Sequence, residues 1–564
     1  MKYVIIGAVA GGASTAARLR RMDEHAEIIM FEKGGYVSYA NCGLPYYIGD
    51  VIKERDKLFV QTAAGFKERF NIDVRTNTEV TSIDRANKFI HATNLVTGEQ
   101  YDESYDKLVL SPGAEPLRPP LPGINLPGIF TLRNVPDTDA IKSFAKQHTN
   151  GKAVVIGGGF IGLEMAENLQ HLGMKVTIVE MANQVMAPVD FPIAAIVQQH
   201  IRSKGVKLML NTAVSGFEQT QDGLLVNFND GTSAEADIVI LSIGVRPDTK
   251  LAAEAGLDIG KAKGIWVNEY LQTSDPNIYA VGDAIEFENP IIKRPLNTYL
   301  AGPANKQGRI CANNIVFGNN RIYKGAINTA IVKVFDYTVG ATGMASKHLK
   351  HFDVPHIVST TRSASHAGYY PDAKQMTMQI TFSPTDGKLL GAQVTGIDGV
   401  DKRIDLLATI IQKEGTIYDL TEIEHAYAPP YSSAKDPVNM AGFVAENLLQ
   451  GRFKVIYWDE FLKAYHNNNS AILLDVRTPK EHQTKTIPGS VNIPLDEIRQ
   501  RLEEIPKHKT VYLFCEIGLR GYLAQRILRQ HGYENVYNLS GGFALWNVAT
   551  TELELSKKHV ELVS

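Results

Sequence analysis

The chain holds three cysteines, Cys42, Cys311 and Cys515, and no two of them are neighbours. Cys42 stands in Ser38-Tyr39-Ala40-Asn41-Cys42-Gly43-Leu44-Pro45, just after a stretch that reads as a nucleotide-binding βαβ unit. A thiolate is a nucleophile, and a helix N-terminus or an adjacent cation lowers its pKa and exposes that reactivity. A lone thiol that attacks a disulfide or sulfane sulfur has no internal partner to resolve the product. The second thiol must come from the substrate, a small thiol or a remote domain, so Cys42 points to a single-cysteine redox cycle. Cys515 opens Cys515-Glu516-Ile517-Gly518-Leu519-Arg520 after the strand-like Thr510-Val511-Tyr512-Leu513-Phe514. Loop N–H groups and a helix N-terminus can converge there on one sulfur anion, and Arg520 adds positive charge. Cys311 lies in an apparently helical stretch with no motif around it and reads as structural.

The elements that must position Cys42 are glycine turns. Tyr3-Val4-Ile5-Ile6 reads as a strand, followed by Gly7-Ala8-Val9-Ala10-Gly11-Gly12 and a helix through Ala16, Ala17 and Leu19. The next strand, Ile28-Ile29-Met30-Phe31, ends in Glu32, an acid placed to accept ribose hydroxyl hydrogens. Val9 stands where the middle glycine is usual. A second copy is complete: Ala153-Val154-Val155-Ile156, then Gly157-Gly158-Gly159-Phe160-Ile161-Gly162, a helix, and Lys175-Val176-Thr177-Ile178-Val179-Glu180. Such turns bring backbone N–H groups and a helix N-terminus against a pyrophosphate. Two of them predict FAD and a nicotinamide. Glu180 repels a 2′-phosphate and residues 181–184 offer no cation to bind one, so NADH is favoured over NADPH.

The 564 residues predict three to five domains, and 44% hydrophobic with 21% charged residues predicts a soluble globular protein. A net charge of −3 gives no reason to expect nucleic acid or an acidic membrane as partner. The first apolar run reads as a strand entering a turn, and no run is long enough to span a bilayer. Three cysteines cannot build a disulfide framework, which predicts a reducing, cytoplasmic location. The expected fold class is α/β: two Rossmann-like dinucleotide-binding domains, an α+β domain after them and a C-terminal α/β domain. Residues 375–381 alternate as a half-buried strand would, Asp386-Gly387 makes a turn, and residues 389–394 form the return strand.

Together with Leu108-Val109-Leu110-Ser111-Pro112-Gly113-Ala114, Ile243-Gly244-Val245-Arg246-Pro247 and the run from Thr273 to Asp283, these units resemble the flavoprotein disulfide reductases that bind two dinucleotides. The resemblance implies that Gly7, Gly11, Gly12, Glu32 and Asp283 serve FAD, with Asp283 on the ribityl chain. It likewise implies that Gly157, Gly159, Gly162 and Glu180 serve the nicotinamide dinucleotide. An N-cap role for Asp283 is compatible with this. Ser38-Tyr39-Ala40-Asn41-Cys42 is similar to the S-F-x-x-C motif of the branch holding coenzyme A disulfide reductases and NADH peroxidases. Peroxidases of the branch carry histidine where this chain has Ala10. In the reductases a tyrosine pair reaches the cysteine from the other subunit, which implies Tyr369 and Tyr427 here, with Tyr370 an alternate, and a homodimer. Ser14, Arg18, Arg21, Ser38, Asn41 and Lys435 fall at coenzyme A contact positions.

Beyond Arg452-Phe453-Lys454, which reads as a linker, Leu474-Asp475-Val476-Arg477, Ile487-Pro488-Gly489, the Cys515 loop and Gly541-Gly542-Phe543-Ala544-Leu545-Trp546 resemble a single rhodanese domain. Asp475 and Arg477 read as a structural ion pair. The implied layout is an FAD domain over 1–112 and 265–327, an NAD(H) domain over 113–264, an interface domain over 328–451 and a rhodanese domain over 455–564. The whole resembles the coenzyme A disulfide reductase–rhodanese proteins, NADH-dependent reducers of coenzyme A disulfide, coenzyme A persulfide or polysulfide. Two other readings stay open: a peroxide- or oxygen-reducing NADH enzyme with a Cys42 sulfenate, and a sulfur-trafficking redox sensor. No metal site is expected.

Overall fold

A computed structural model describes residues 1–467 and 471–561. The chain divides into two compact units, one of residues 1–179 and 213–328, the other of residues 180–212 and 329–564.

In the first unit, strand Lys2–Ile6 is central in a parallel sheet, with Glu27–Phe31 on one side and Lys107–Leu110 on the other. Ile278–Ala280 pairs with Lys107–Leu110, so the chain returns to its first sheet after some 170 residues. Val4, Ile5, Ile28, Ile29, Leu108 and Val109 are buried, as both faces of a covered parallel sheet require. The strand ends in the glycine turn. Gly7 has φ +92°, and a Cβ there would lie 2.1 Å from the Ser111 carbonyl oxygen; one at Gly12 would lie 1.9 Å from that of Gly7. Only glycine lets the helix Ala10–Met22 start this close to the strand. The second turn repeats the geometry. Strand Lys152–Ile156 lies between Lys175–Val179 and Ile238–Leu241, all parallel, and a Cβ at Gly162 would meet the Gly157 oxygen at 2.0 Å.

In the second unit, five antiparallel strands run in the order Ala330–Val334, Tyr337–Gly343, Leu389–Gly396, Gln375–Phe382, Ile357–Ala364. The expected hairpin is present, and Gly387 in its turn has φ +71°. The expected half-burial is not. Every residue from Met376 to Phe382 is buried, including Thr377, Gln379 and Thr381, because both faces of this inner strand are covered. The C-terminal residues form a parallel sheet in the order Val455–Ile456, Val536–Leu539, Val511–Phe514, Ile472–Asp475, Val491–Asn492. The segment read as a linker is docked. Phe453 is buried with its ring 5.1 Å from that of Tyr522, and the Lys454 backbone exchanges hydrogen bonds with Gln525. Among the described residues, no helix is long and apolar enough to cross a membrane.

Candidate functional site

The first unit contains a cavity of about 880 Å³, within the range of cofactor pockets. Gly7, Gly11, Glu32, Asp283, Asn41 and Arg133 are on its wall. The Glu32 carboxylate accepts from the Ala8 N–H at 3.1 Å and the Gly34 N–H at 2.9 Å, which fixes it at the end of its strand. Asp283 is pushed up to about 6 by burial, with Arg133 opposing the shift. It sits inside the short helical turn Gly282–Ala284 and makes no capping bond, so the N-cap alternative does not hold. Arg133, which the sequence did not single out, donates to the carbonyls of Ala114 and Pro112. A long cleft, turns that exclude side chains and an acid at the strand end fit a dinucleotide. At the second turn a Cβ on Gly159 would meet nothing within 4 Å, which leaves the N-terminus of the helix Phe160–His171 open to approach. Glu180 accepts from the Ala182 N–H at 2.8 Å.

Cys42 lies in the helical turn Asn41–Gly43, which runs into the helix Leu44–Ile48. Four residues earlier, Ser38 has φ +46°, a left-handed conformation held by its N–H on the Ala8 carbonyl at 2.8 Å. Cys42 is exposed. Its pKa is nevertheless raised, by the protein around it and by the carboxylates of Glu164 and Asp283. This overturns the expectation that a cation or helix N-terminus depresses it. Glu164, two residues after Gly162, is pushed up to about 7 by burial, and the Tyr46 hydroxyl donates to it at 3.3 Å. Tyr46 is one turn beyond Cys42, so Cys42, Tyr46 and Glu164 join the first glycine unit to the second. The other cysteine of this unit, Cys311, is fully buried in the helix Ala301–Phe317, where burial raises its thiol.

Four arginines cluster where Ala10–Met22 packs on Ala301–Phe317. Arg18 and Arg21 were expected; Arg309 and Arg321 join them. Burial and then repulsion from Arg309, Arg21 and Arg321 push the Arg18 guanidinium down, a sign of positive charge collected for an anion. Ser14 donates to Asn305 and Arg18 to Asn313 at 3.4 Å.

Tyr369, Tyr427 and Lys435 belong to the second unit. The two tyrosine hydroxyls are 2.8 Å apart, and the bond raises the Tyr369 phenol. Both side chains are exposed, as is Lys435. Behind the two tyrosine loops, Arg403 is 1% exposed. It donates to the Ser365 carbonyl at 2.8 Å on the Tyr369 side and to Asp436 at 2.8 Å on the Tyr427 side. Ser432 also donates to Asp436, at 2.5 Å, and the Ala367 N–H to the Ser432 carbonyl. Tyr370 turns away from the pair, its ring 5.7 Å from that of His366.

Cys515 is 1% exposed. Gly518 has φ +108° and turns its N–H onto the Cys515 Sγ at 3.1 Å. Arg520, the second residue of the helix Leu519–Gln530, is bonded to Glu481 at 2.6 and 2.8 Å, and its guanidinium is held up first by Glu481 and also by the nearby Cys515 sulfur. Arg520 holds Glu481 down at about 2. The positive charge that Arg520 was expected to add is therefore shared between Glu481 and the sulfur. Arg477 bonds Asp475 at 2.9 Å and Glu516 at 3.1 Å, and stacks on Phe543 at 4.3 Å. The Thr486 hydroxyl donates to Asp475 at 3.0 Å.

Residues 1–307 match the pyridine nucleotide-disulphide oxidoreductases, residues 329–437 their dimerisation domain and residues 458–549 the rhodanese-like domain. A coenzyme A disulfide reductase of Staphylococcus haemolyticus is 38% identical over 452 residues, 79% of this chain and 100% of that protein. Among solved structures, reduced Bacillus anthracis CoADR-RHD superposes with a TM-score of 0.95 at 48% identity, covering 98% of both chains. A NAD-dependent persulfide reductase from A. fulgidus gives 0.91 at 38%, over 97% of this chain and 100% of that one. A water-forming NADH oxidase from Lactobacillus brevis gives 0.77 at 25%, over 80% and 99%. The chain belongs to the pyridine nucleotide-disulphide oxidoreductases and carries a rhodanese-like domain behind its dimerisation domain.

Proposed function

We propose that this protein is an FAD-dependent reductase that uses NADH to reduce coenzyme A disulfide, coenzyme A persulfide or polysulfide through Cys42. A single observation carries the reading: Asn41, the residue before the exposed thiol Cys42, lines a dinucleotide-sized cleft, and no second cysteine of its unit is exposed. Gly7, Gly11, Gly12, Glu32 and Asp283 hold FAD; Gly157, Gly159, Gly162 and Glu180 hold NADH. Bound flavin supplies the relay of two electrons from nicotinamide to sulfur.

The Cys42 thiolate attacks a sulfur of the substrate. A Cys42–sulfur bond forms, the substrate S–S bond breaks, and coenzyme A thiolate or hydrosulfide leaves with the bonding pair. Two electrons and a proton then release the second sulfur and restore the thiolate. Tyr369 and Tyr427 donate hydrogen bonds to the leaving anion. The arginine cluster with Ser14, Ser38, Asn41 and Lys435 takes the phosphates and the arm of coenzyme A, since guanidinium suits phosphate. The two tyrosines act across a homodimer; their exposure in the single chain, 77% for Tyr369 and 47% for Tyr427, is what a covering partner would relieve. Cys515 carries sulfane sulfur as a persulfide in its cradle. The absence of a disulfide framework supports a cytoplasmic setting.

The test is steady-state NADH oxidation with coenzyme A disulfide, coenzyme A persulfide and polysulfide, comparing wild type with C42S and C515S. Loss in C42S on all three substrates is expected; wild-type rates in C42S overturn the cycle. The likeness to the L. brevis oxidase keeps a second reading in view, an oxygen- or peroxide-reducing enzyme with a Cys42 sulfenate. NADH oxidation that needs oxygen and no sulfur substrate would favour it.

A further inference from the structure

A cavity of about 330 Å³ opens between the antiparallel sheet of the second unit, the helix Phe191–Ser203 and the helix Gly542–Glu561. Its floor is one cross-strand row. Arg362 pairs with Thr377 and Thr377 with Thr395, which sets three side chains side by side on one face. Gln375 shares that face, two residues along, and His200 and Tyr337 stand at the rim. Among the described residues, no carboxylate lines the cavity. Two buried atoms on the row have no hydrogen-bond partner among the described residues, Arg362 Nε and Thr395 Oγ1. Three more, Ser359 Oγ, Thr361 Oγ1 and Asn538 Oδ1, belong to residues that line a second cavity of about 120 Å³, which Arg362 also lines. Buried polar atoms left unmade are costly, and two of them, Arg362 Nε and Thr395 Oγ1, lie on this one row. Burial presses the Arg362 pKa down; Glu516, the acid that opposes this, is already bonded to Arg477 at 3.1 Å.

We propose that this cavity binds a small polyatomic oxyanion, held by the Arg362 guanidinium and the hydroxyls of Thr377 and Thr395. A guanidinium presents a planar fork of donors that matches such an anion, and hydroxyls complete its coordination. The wall is tied to the sulfur chemistry through two hydrogen bonds. Ala544, which lines the cavity, donates its N–H to the Glu516 carbonyl at 3.1 Å, and the preceding Phe543 donates to the Cys515 carbonyl at 2.8 Å. No residue of the Cys515–Arg520 loop lines the 330 Å³ cavity, whereas Ile517, Gly518 and Leu519 line the smaller one; the oxyanion site is therefore distinct from the sulfur cradle and does not depend on the Cys42 cycle. The anion comes from one of two sources, a sulfur oxyanion such as sulfate or thiosulfate, or inorganic phosphate.

The experiment is calorimetric titration of flavin-loaded full-length protein with sulfate, thiosulfate and phosphate. C515S serves as the reference, so that no sulfur is transferred, and C515S/R362M and C515S/R362K are compared with it. Removing one charge-assisted contact should weaken one binding site by about tenfold or more, with partial recovery in the lysine variant. Loss confined to sulfate and thiosulfate identifies a sulfur oxyanion; loss confined to phosphate identifies phosphate; equal loss for all three identifies a general oxyanion site. Identical isotherms with and without Arg362, or no saturable binding of any of the three, overturn the proposal and leave a water-filled cavity. T395V, which removes the other orphaned atom of the row without touching charge, carries the same expectation if R362M does not fold.

Discussion

Cys42 and Cys515 are the same element in opposite settings. Cys515 is buried, takes an N–H from Gly518 and lies within reach of Arg520, so the chain itself supplies what a sulfur anion needs. Cys42 is exposed, and the charged groups that bear on it are the carboxylates of Glu164 and Asp283, which disfavour its anion. One cysteine is ready as it stands. The other has no such support from the chain, and on the proposed reading what binds beside it supplies that support.

The sharpest way to break this comparison is to exchange the sulfurs for oxygen. C42S should lower NADH oxidation with coenzyme A disulfide by about 10³-fold or more while leaving thiosulfate sulfurtransfer unchanged; C515S should do the reverse. Coupled loss in both assays would mean one site, not two. Next, R520M should slow sulfurtransfer by about 10- to 100-fold and release Glu481 from about 2 toward the ordinary carboxylate range, read from the pH profile of Cys515 alkylation. Y427F should lower kcat with coenzyme A disulfide by about tenfold, with KM little changed. The smallest effect is electrostatic. Glu164 titrates near 7 and its carboxylate raises the Cys42 thiol. Below pH 7 it is neutral and the thiol is easier to ionise; above pH 7 it is charged and opposes the thiolate. E164Q should therefore lower the Cys42 pKa and remove an inflection near pH 7 from its alkylation profile.

The glycine turns were legible because they are local: Gly7 and Gly157 need left-handed φ of +92° and +108°, and no other residue gives that cheaply. The strand at residues 375–381 was legible as a strand but misread as half-buried. Its Thr and Gln side chains alternate with apolar ones, yet helices and sheet cover both faces, so period alone did not report burial. Glu164, Arg133, Arg309 and Arg321 were missed because each comes to its place from a distant part of the chain. Glu164 lies 118 residues from Tyr46, and no spacing rule crosses that gap. The expected low pKa of Cys42 failed for the same reason, since its opponents, Glu164 and Asp283, come from far along the chain. Arg452-Phe453-Lys454 carried no turn or strand signal, and its docking rests on Tyr522 and Gln525, some 70 residues away.

Besides the Gly399 carbonyl of its own helix start, the Arg403 guanidinium holds the carbonyl of Ser365 before Tyr369 and the carboxylate of Asp436 after Tyr427. The two phenols are thereby mechanically yoked: a disturbance of either loop is felt by the other through a single buried fork, and neither can be re-aimed alone. A variant library that varies Tyr369 and Tyr427 one at a time would sample this pair poorly, whereas one that varies positions 365, 403, 432 and 436 together would move both hydroxyls as a set.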